Sequence, residues 1–160
     1  MRKELDEYLC TKYPIIFKNR NANPSTTCMY WGFCCGDGWF NLIDALCASI
    51  HNYIDNNYKV IDQTIEWNRK VNDTNYEWPY DFIDRNEREI PAEVAQVVAN
   101  QVKEKFGGLR FYYSGGDDYI RGLVDMAESI SYRTCEVCGA LGETVSLGGW
   151  YSTRCEAHQK

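Results

Sequence analysis

The residues with the clearest chemistry lie near the C-terminus, in the pattern Cys135-x2-Cys138-x16-Cys155-x2-His158. Two thiolates two residues apart reach one ion from a single turn, and a hairpin that brings back a Cys-x2-His pair completes a tetrahedron. The spacing therefore predicts a zinc site with Cys135, Cys138, Cys155 and His158 as ligands. Four protein ligands close the coordination shell, so the metal is expected to be structural rather than catalytic. The intervening "LGETVSLGGWYSTR" fits two short strands around a Gly148-Gly149 bend. A redox reading of the CxxC pair is weaker, because no βαβ pattern accompanies it and a second ligand pair does.

Other groups admit more than one reading. Cys47 and His51 stand at i, i+4, and with Cys28, Cys34 and Cys35 they allow a second metal site or a Cys-His nucleophile. Buried free thiols are the commoner outcome for such cysteines. Asp44 and Glu128 sit at the edges of apolar helical stripes. There they serve either as an acid/base pair, with Cys35 as a further catalytic candidate, or as ion-pair partners of Lys103, Lys105 or Arg110. The stretch "KEKFGGLRFYYSGGDD", Lys103 to Asp118, sets cations beside aromatic rings. Trp31, Trp39, Lys103, Arg110, Tyr112 and Glu128 are the candidate lining of a site for a small anionic, nucleotide-like ligand. Rings would stack and cations would meet phosphate. The competing structural reading makes Phe106, Phe111 and Tyr113 packing residues.

The elements that position these groups follow from periodicity. Residues 2 to 12 predict a short helix with Leu5, Leu9 and Tyr8 inward. Residues 14 to 36 read as irregular. Asp37 is the expected N-cap of a helix carrying Phe40, Ile43, Cys47, Ile50 and Ile54 on one face and ending near Asn56-Asn57. Residues 56 to 90 read as an inserted surface excursion, helical or β-rich in its first part, that supplies Trp67, Tyr76, Trp78, Tyr80 and Phe82 as an exposed aromatic patch. Pro91 opens a further expected helix, with Val94, Val97, Val98, Val102 and Phe106 as its stripe and Gly107 as a left-handed cap. Residues 109 to 114 alternate as a strand, Gly115-Gly116 turns, and Asp117 or Asp118 caps a helix with Ile120, Leu123, Val124, Ala127 and Ile130 inward. The expected fold is α+β: three or four helices packed on a small β-sheet (core 1 to 132), closed by a C-terminal zinc ribbon (133 to 160).

Composition bounds the function. The chain has 160 residues, 44% hydrophobic and 14% aromatic, which suits one globular domain with a real core. Its net charge of -6 argues against a general phosphate-backbone binder. No apolar run approaches the roughly 18 residues of a membrane span, and no signal peptide is read at the N-terminus. Eight cysteines without such a signal point to reduced thiols or metal, and to the cytoplasm.

Together, "CGDGW" (Cys35 to Trp39), "QVKEKFGGLRFYY" (Gln101 to Tyr113), "AESIS" (Ala127 to Ser131) and "CEVCG…GW…T…C…H" (Cys135 to His158) resemble a family of small proteins found in bacteriophages, prophages and bacterial genomes. The resemblance spans about three-quarters of the chain and leaves out residues 56 to 90. It implies a setting, the interior of a bacterial host cell during infection, without a mechanism. Within it three functions compete. The first is a non-enzymatic binding protein that captures and inhibits a host or antiviral-defence component. The second is a protein that sequesters a small anionic nucleotide-like ligand, and the third is a small zinc-containing enzyme.

Overall fold

A computed structural model describes residues 1–77 and 86–159. Trp78, Tyr80 and Phe82 of the expected aromatic patch, and the side chain of Tyr76, lie outside the described set. The architecture is mixed α and β, with three α-helices and two small sheets. The chain separates into two compact units, one formed by Met1–His51 with Ala95–Lys160 and the other by Asn52–Val94.

In the larger unit, α1 (Lys3–Lys12) is followed by an irregular run with short 3-10 turns and the two-residue strand β1 (Phe33–Cys34). What orders that run is a charge the periodicity does not reveal. Asp6, on the same face of α1 as the fully buried Leu9, is itself buried. Its carboxylate accepts from Arg20 Nε at 2.8 Å and Nη2 at 3.3 Å, and from the Phe33 amide at 3.3 Å. Arg20 in turn donates to the Tyr30 carbonyl at 2.7 Å, so one buried ion pair pins both ends of the loop to the helix. Tyr8, expected inward, is half exposed and stacks edge-on against Phe40 instead.

The segment after Pro91 departs from expectation. Residues 86–97 have no regular secondary structure, and Val98–Lys105 form strand β2, not a helix. The reason is parity: Val94, Val98, Val102 and Phe106 are four apart, and an even spacing puts residues on one face of a strand as well as of a helix. β-branched valines then favour the strand. β2 pairs parallel with β1 and antiparallel with β3 (Gly108–Ser114). Phe106 and Gly107 are the two-residue turn between them, at φ +54° and +81°, so Gly107 is a hairpin residue and Phe106 points outward, 64% exposed. Two positive φ angles match the twist of a tight hairpin. A phenylalanine held there costs about 1–2 kcal/mol relative to glycine or asparagine.

α3 (Asp118–Ser131) begins at Asp117, one of the two caps the sequence allowed, whose carboxylate accepts the Ile120 amide at 3.1 Å. Val102 and Phe111 are a register pair, Glu104 and Leu109 another, so the Leu109 and Phe111 amides face away from β2. α3 covers that open edge. Glu128 Oε1 accepts the Phe111 amide at 2.9 Å, and Ser131 Oγ accepts the Leu109 amide at 2.8 Å. The "AESIS" stretch is thus the side-chain substitute for a missing strand. Leu109, Phe111 and Val102 are buried on the core face, with Phe17 edge-on to both Phe33 and Phe111.

α2 (Phe40–Glu77) does not stop at Asn56-Asn57 but runs for 38 residues. In the smaller unit, Asn57 and Asn68 of this helix bond to the chain that returns beside it. Asn68 donates to the Arg88 carbonyl and accepts the Arg88 amide, both at 2.8 Å. Asn57 donates to the Ala92 carbonyl at 3.0 Å and accepts the Val94 amide at 2.9 Å. The spacing is commensurate. The step of eleven positions from Asn57 to Asn68 rises about 16.5 Å along a helix, and the step of five from Arg88 to Glu93 spans about 16.5 Å when extended. Trp67 of the expected patch belongs to this arrangement. The Arg88 guanidinium lies 4.2 Å over its ring, and its indole N–H donates to Asn86 O at 3.2 Å.

Candidate metal centre

Two strands, β4 (Glu143–Leu147) and β5 (Trp150–Arg154), form the C-terminal hairpin, with Gly148-Gly149 at its turn. The first ligand pair precedes it on a knuckle: the Gly139 amide donates to Cys135 O at 2.8 Å and the Cys135 amide to Ala140 O at 2.7 Å. Gly139 takes φ +78°, which only glycine adopts without strain. The second pair follows β5, where the His158 amide donates to Cys155 O at 2.8 Å.

This brings the ligand atoms of Cys135, Cys138, Cys155 and His158 within 4.8 Å of one another. Cys138 Sγ lies 3.7 Å from Cys155 Sγ, and His158 Nδ1 lies 3.6 Å from Cys135 Sγ and 3.1 Å from Cys155 Sγ. A tetrahedron with metal–sulfur bonds of about 2.3 Å has edges of about 3.8 Å, so the cluster has the size of a first coordination shell. Burial raises the Cys135 thiol, but backbone N–H groups of Cys155, Cys138 and Val137 outweigh it and hold the thiol down at about 6. Burial and the neighbouring sulfurs raise Cys155. The four residues can hold a metal ion.

The knuckle also explains "CGDGW". The Gly38 amide donates to Glu136 O and the Gly36 amide to Glu136 Oε1, both at 2.8 Å. A Cβ on Gly38 would lie 2.1 Å from Cys135 O, and one on Gly36 would lie 2.2 Å from Glu136 O. Both glycines are required by close approach of two backbones. Asp37 does not cap its own helix; its carboxylate accepts the Arg2 amide at 2.7 Å and pairs with the Arg2 guanidinium at 3.2 Å. Trp39 was a candidate ligand wall, but it is fully buried and donates its indole N–H to Thr134 O at 2.8 Å. Its ring packs the joint between the helix and the knuckle and cannot stack on a ligand.

The other candidates separate in the same way. Glu128 caps the β3 edge, and its Oε2 lies 3.5 Å from Arg110 Nη1, so it is the partner of that cation. Arg110 donates also to Tyr132 Oη at 2.5 Å and lies 5.6 Å over that ring. Asp44 is taken up by Lys12 at 2.8 Å and Tyr13 Oη at 2.8 Å, not by Lys103, Lys105 or Arg110. Cys35 is buried, with its thiol pushed up to about 12 by burial, and burial raises Cys47 further still. Such thiols are poor nucleophiles. His51 is exposed, and among the described residues only the C-terminal four gather as a metal-ligand group. Lys103 lies 5.4 Å over the Tyr112 ring, on the face of the sheet that also carries Arg110, its register partner. Trp31 is 69% exposed, edge-on to Tyr30 in the turn before β1.

A surface that sequence reasoning missed lies between the two hairpin tips. Glu104, Lys105, Phe106, Gly149, Trp150 and Tyr151 line a groove of about 390 Å³. Trp150 is 81% exposed. Buried Thr153 donates from Oγ1 to Gly107 O at 2.6 Å, tying the C-terminal hairpin to the β2–β3 turn. Lys105 Nζ lies 5.3 Å over the Phe106 ring, while Glu104 turns to the other face and accepts the Gly107 amide at 2.6 Å. The signal available in the sequence was "GGW" closing a hairpin, an aromatic where a turn needs none.

Comparison with family models, with curated proteins and with solved structures finds no significant match. Among the described residues no helix is long and apolar enough to cross a membrane.

Proposed function

We propose that Cys135, Cys138, Cys155 and His158 hold a structural zinc ion, and that the protein is a phage-type binding protein. It acts inside a bacterial cell and captures and inhibits a host or antiviral-defence component without catalysis. The observation that carries the reading is the exposed groove of Phe106, Trp150 and Tyr151, on a hairpin with the Cys/His cluster at its base. Exposed aromatics over a concave surface are the usual anchors of a recognition site. The groups that an enzyme would use support the same view. Asp44 and Glu128 are engaged by internal partners, Cys35 is a buried high-pKa thiol, and four protein ligands leave the metal no open position.

Native mass spectrometry of protein purified from bacterial cells without chelator tests both parts. One zinc per chain and a co-purifying component, protein or small molecule, that Trp150→Ala loses are the expected result. A chain without metal removes the zinc assignment. A wild type that retains nothing the variant lacks removes the capture reading.

A further inference from the structure

The groove has the chemistry of a particular ligand. Its volume of about 390 Å³ lies in the range of small-molecule sites, and Phe106, Trp150 and Tyr151 give it rings at the two hairpin tips. Its charge is supplied from one side. Along β2, Lys103 and Lys105 share a face, and Arg110 is the register partner of Lys103. Arg110 is partly neutralised by Glu128. Among the described residues neither lysine is ion-paired, in a chain of net charge -6. Glu104 lines the same groove but points to the opposite face of the strand, held by the Gly107 amide. Against the one carboxylate of Glu104 stand two lysines, Lys105 in the lining and Lys103 beside it on the same strand face, so the charge on that side is positive.

A second observation concerns Phe106. It occupies the left-handed region at φ +54° and is the one non-glycine residue with positive φ among the described residues. It is 64% exposed, so packing does not compel the conformation. A tight hairpin at this site would accept asparagine or glycine with less strain. Strain kept at an exposed aromatic points to a function for its ring.

We propose that this groove binds a single planar heteroaromatic ring carrying an anionic group, of the chemical class of a nucleoside monophosphate. The ring stacks on Phe106 and Trp150, and the anionic group meets Lys105 and Lys103. Two lysines in an acidic chain suit one anionic group and not a polyanion, whose binding requires many phosphate contacts. The inference rests on the capture reading and names what is captured. It also moves the expected ligand site: Lys103 and Tyr112 stay on the bordering face, Trp39 and Glu128 leave it, and Lys105, Phe106, Trp150 and Tyr151 enter.

The test is a tryptophan-fluorescence titration of the zinc-loaded protein with the four common nucleoside 5′-monophosphates, adenosine and inorganic phosphate. Saturable quenching by at least one monophosphate is expected, with weaker quenching by the nucleoside and none by phosphate alone. Trp150→Ala, followed by calorimetry because it removes the reporter, should weaken binding about 5- to 100-fold, the range for loss of one stacking partner. Lys103→Met with Lys105→Met should bring the monophosphate down to the affinity of the nucleoside. Phe106→Asn should weaken binding while raising the Tm by about 2–4 °C, since it relieves the turn. A purely structural Phe106 would lower the Tm instead, and that result overturns its assignment. If no monophosphate binds, but a photo-crosslinking residue at Tyr151 captures a bacterial protein that Trp150→Ala loses, the ligand class is wrong and the capture reading stands. If neither binds, both fall.

Discussion

Two hairpins of this chain share a design and differ in what holds them. β2–β3 and β4–β5 are both antiparallel pairs closed by two-residue turns with positive φ at each position. The first is held by burial: Val102, Leu109 and Phe111 are in the core, and α3 caps its open edge through Glu128 and Ser131. The second has almost no core. Trp150 and Tyr151 are exposed, and Thr153 is the one fully buried residue of β5. Too small to bury an apolar face, it relies on the Cys/His cluster at its base. The difference teaches that a hairpin with little core of its own can still be placed, here by a Cys/His cluster at its base and by the Thr153 bond to Gly107.

The largest effect that follows is metal removal. Under the proposed zinc assignment, strong chelation, or Cys135→Ser, should unfold β4–β5 while leaving β2–β3 formed, because the ion would contribute the folding free energy of the second hairpin alone. Amide hydrogen exchange reads this directly. Protection at residues 143–147 and 150–154 should collapse, and protection at Val102 and Phe111 should persist. Equal loss in both hairpins would mean that the metal supports the whole unit, through the Gly36 and Gly38 contacts with the knuckle.

The same contrast explains what was legible in the sequence. The C-terminal hairpin and its Cys/His cluster could be read because their determinants are local: Cys and His spacing, a Gly-Gly turn and alternating strands. α3 and its Asp117 cap were legible for the same reason. β2 was not, because valines four apart satisfy a helix and a strand equally, and only pairing with β1 and β3 decides between them. Gly107 looked like a helix cap because it follows an apolar stripe and because phenylalanine, the residue before it, is seldom found in the left-handed region. Asn57 looked like another stop, whereas its side chain bonds the backbone of a segment some 35 residues away. Asp6 escaped notice since nothing near it in sequence announces Arg20 as its partner. Of the candidate site, the Cys/His cluster was local and readable; the groove joins residues 104–106 to 149–151, a proximity no spacing encodes.

A smaller change should uncouple the hairpins. Thr153→Val keeps the side-chain volume but removes the donor to Gly107 O, together with the 2.9 Å cross-strand bond to Thr144 Oγ1. Leaving that carbonyl unsatisfied costs about 1–3 kcal/mol. Urea unfolding should show that loss, with metal content unchanged at one ion per chain. Binding at the groove should weaken as well, because the two tips lose their common tether. A variant of unchanged stability would mean that water satisfies the carbonyl and that shape alone positions the tips.

The smallest effect compares the turns themselves. Gly148 has φ +58° and open space where a Cβ would stand, so Gly148→Asn should change stability by no more than about 0.5 kcal/mol. Phe106 has nearly the same backbone angle, φ +54°, yet Phe106→Asn should stabilise the protein by about 1 kcal/mol, because asparagine tolerates the left-handed region better. The pair isolates strain from context, since both sites are exposed tips of two-residue hairpins. If the two substitutions have the same effect, Phe106 is not strained, and its ring contributes enough local packing on Lys105 to offset its backbone. If only Phe106→Asn stabilises, the phenylalanine is kept for something other than stability, and the hairpin the core holds most firmly is also the one that gives up stability to display a ring.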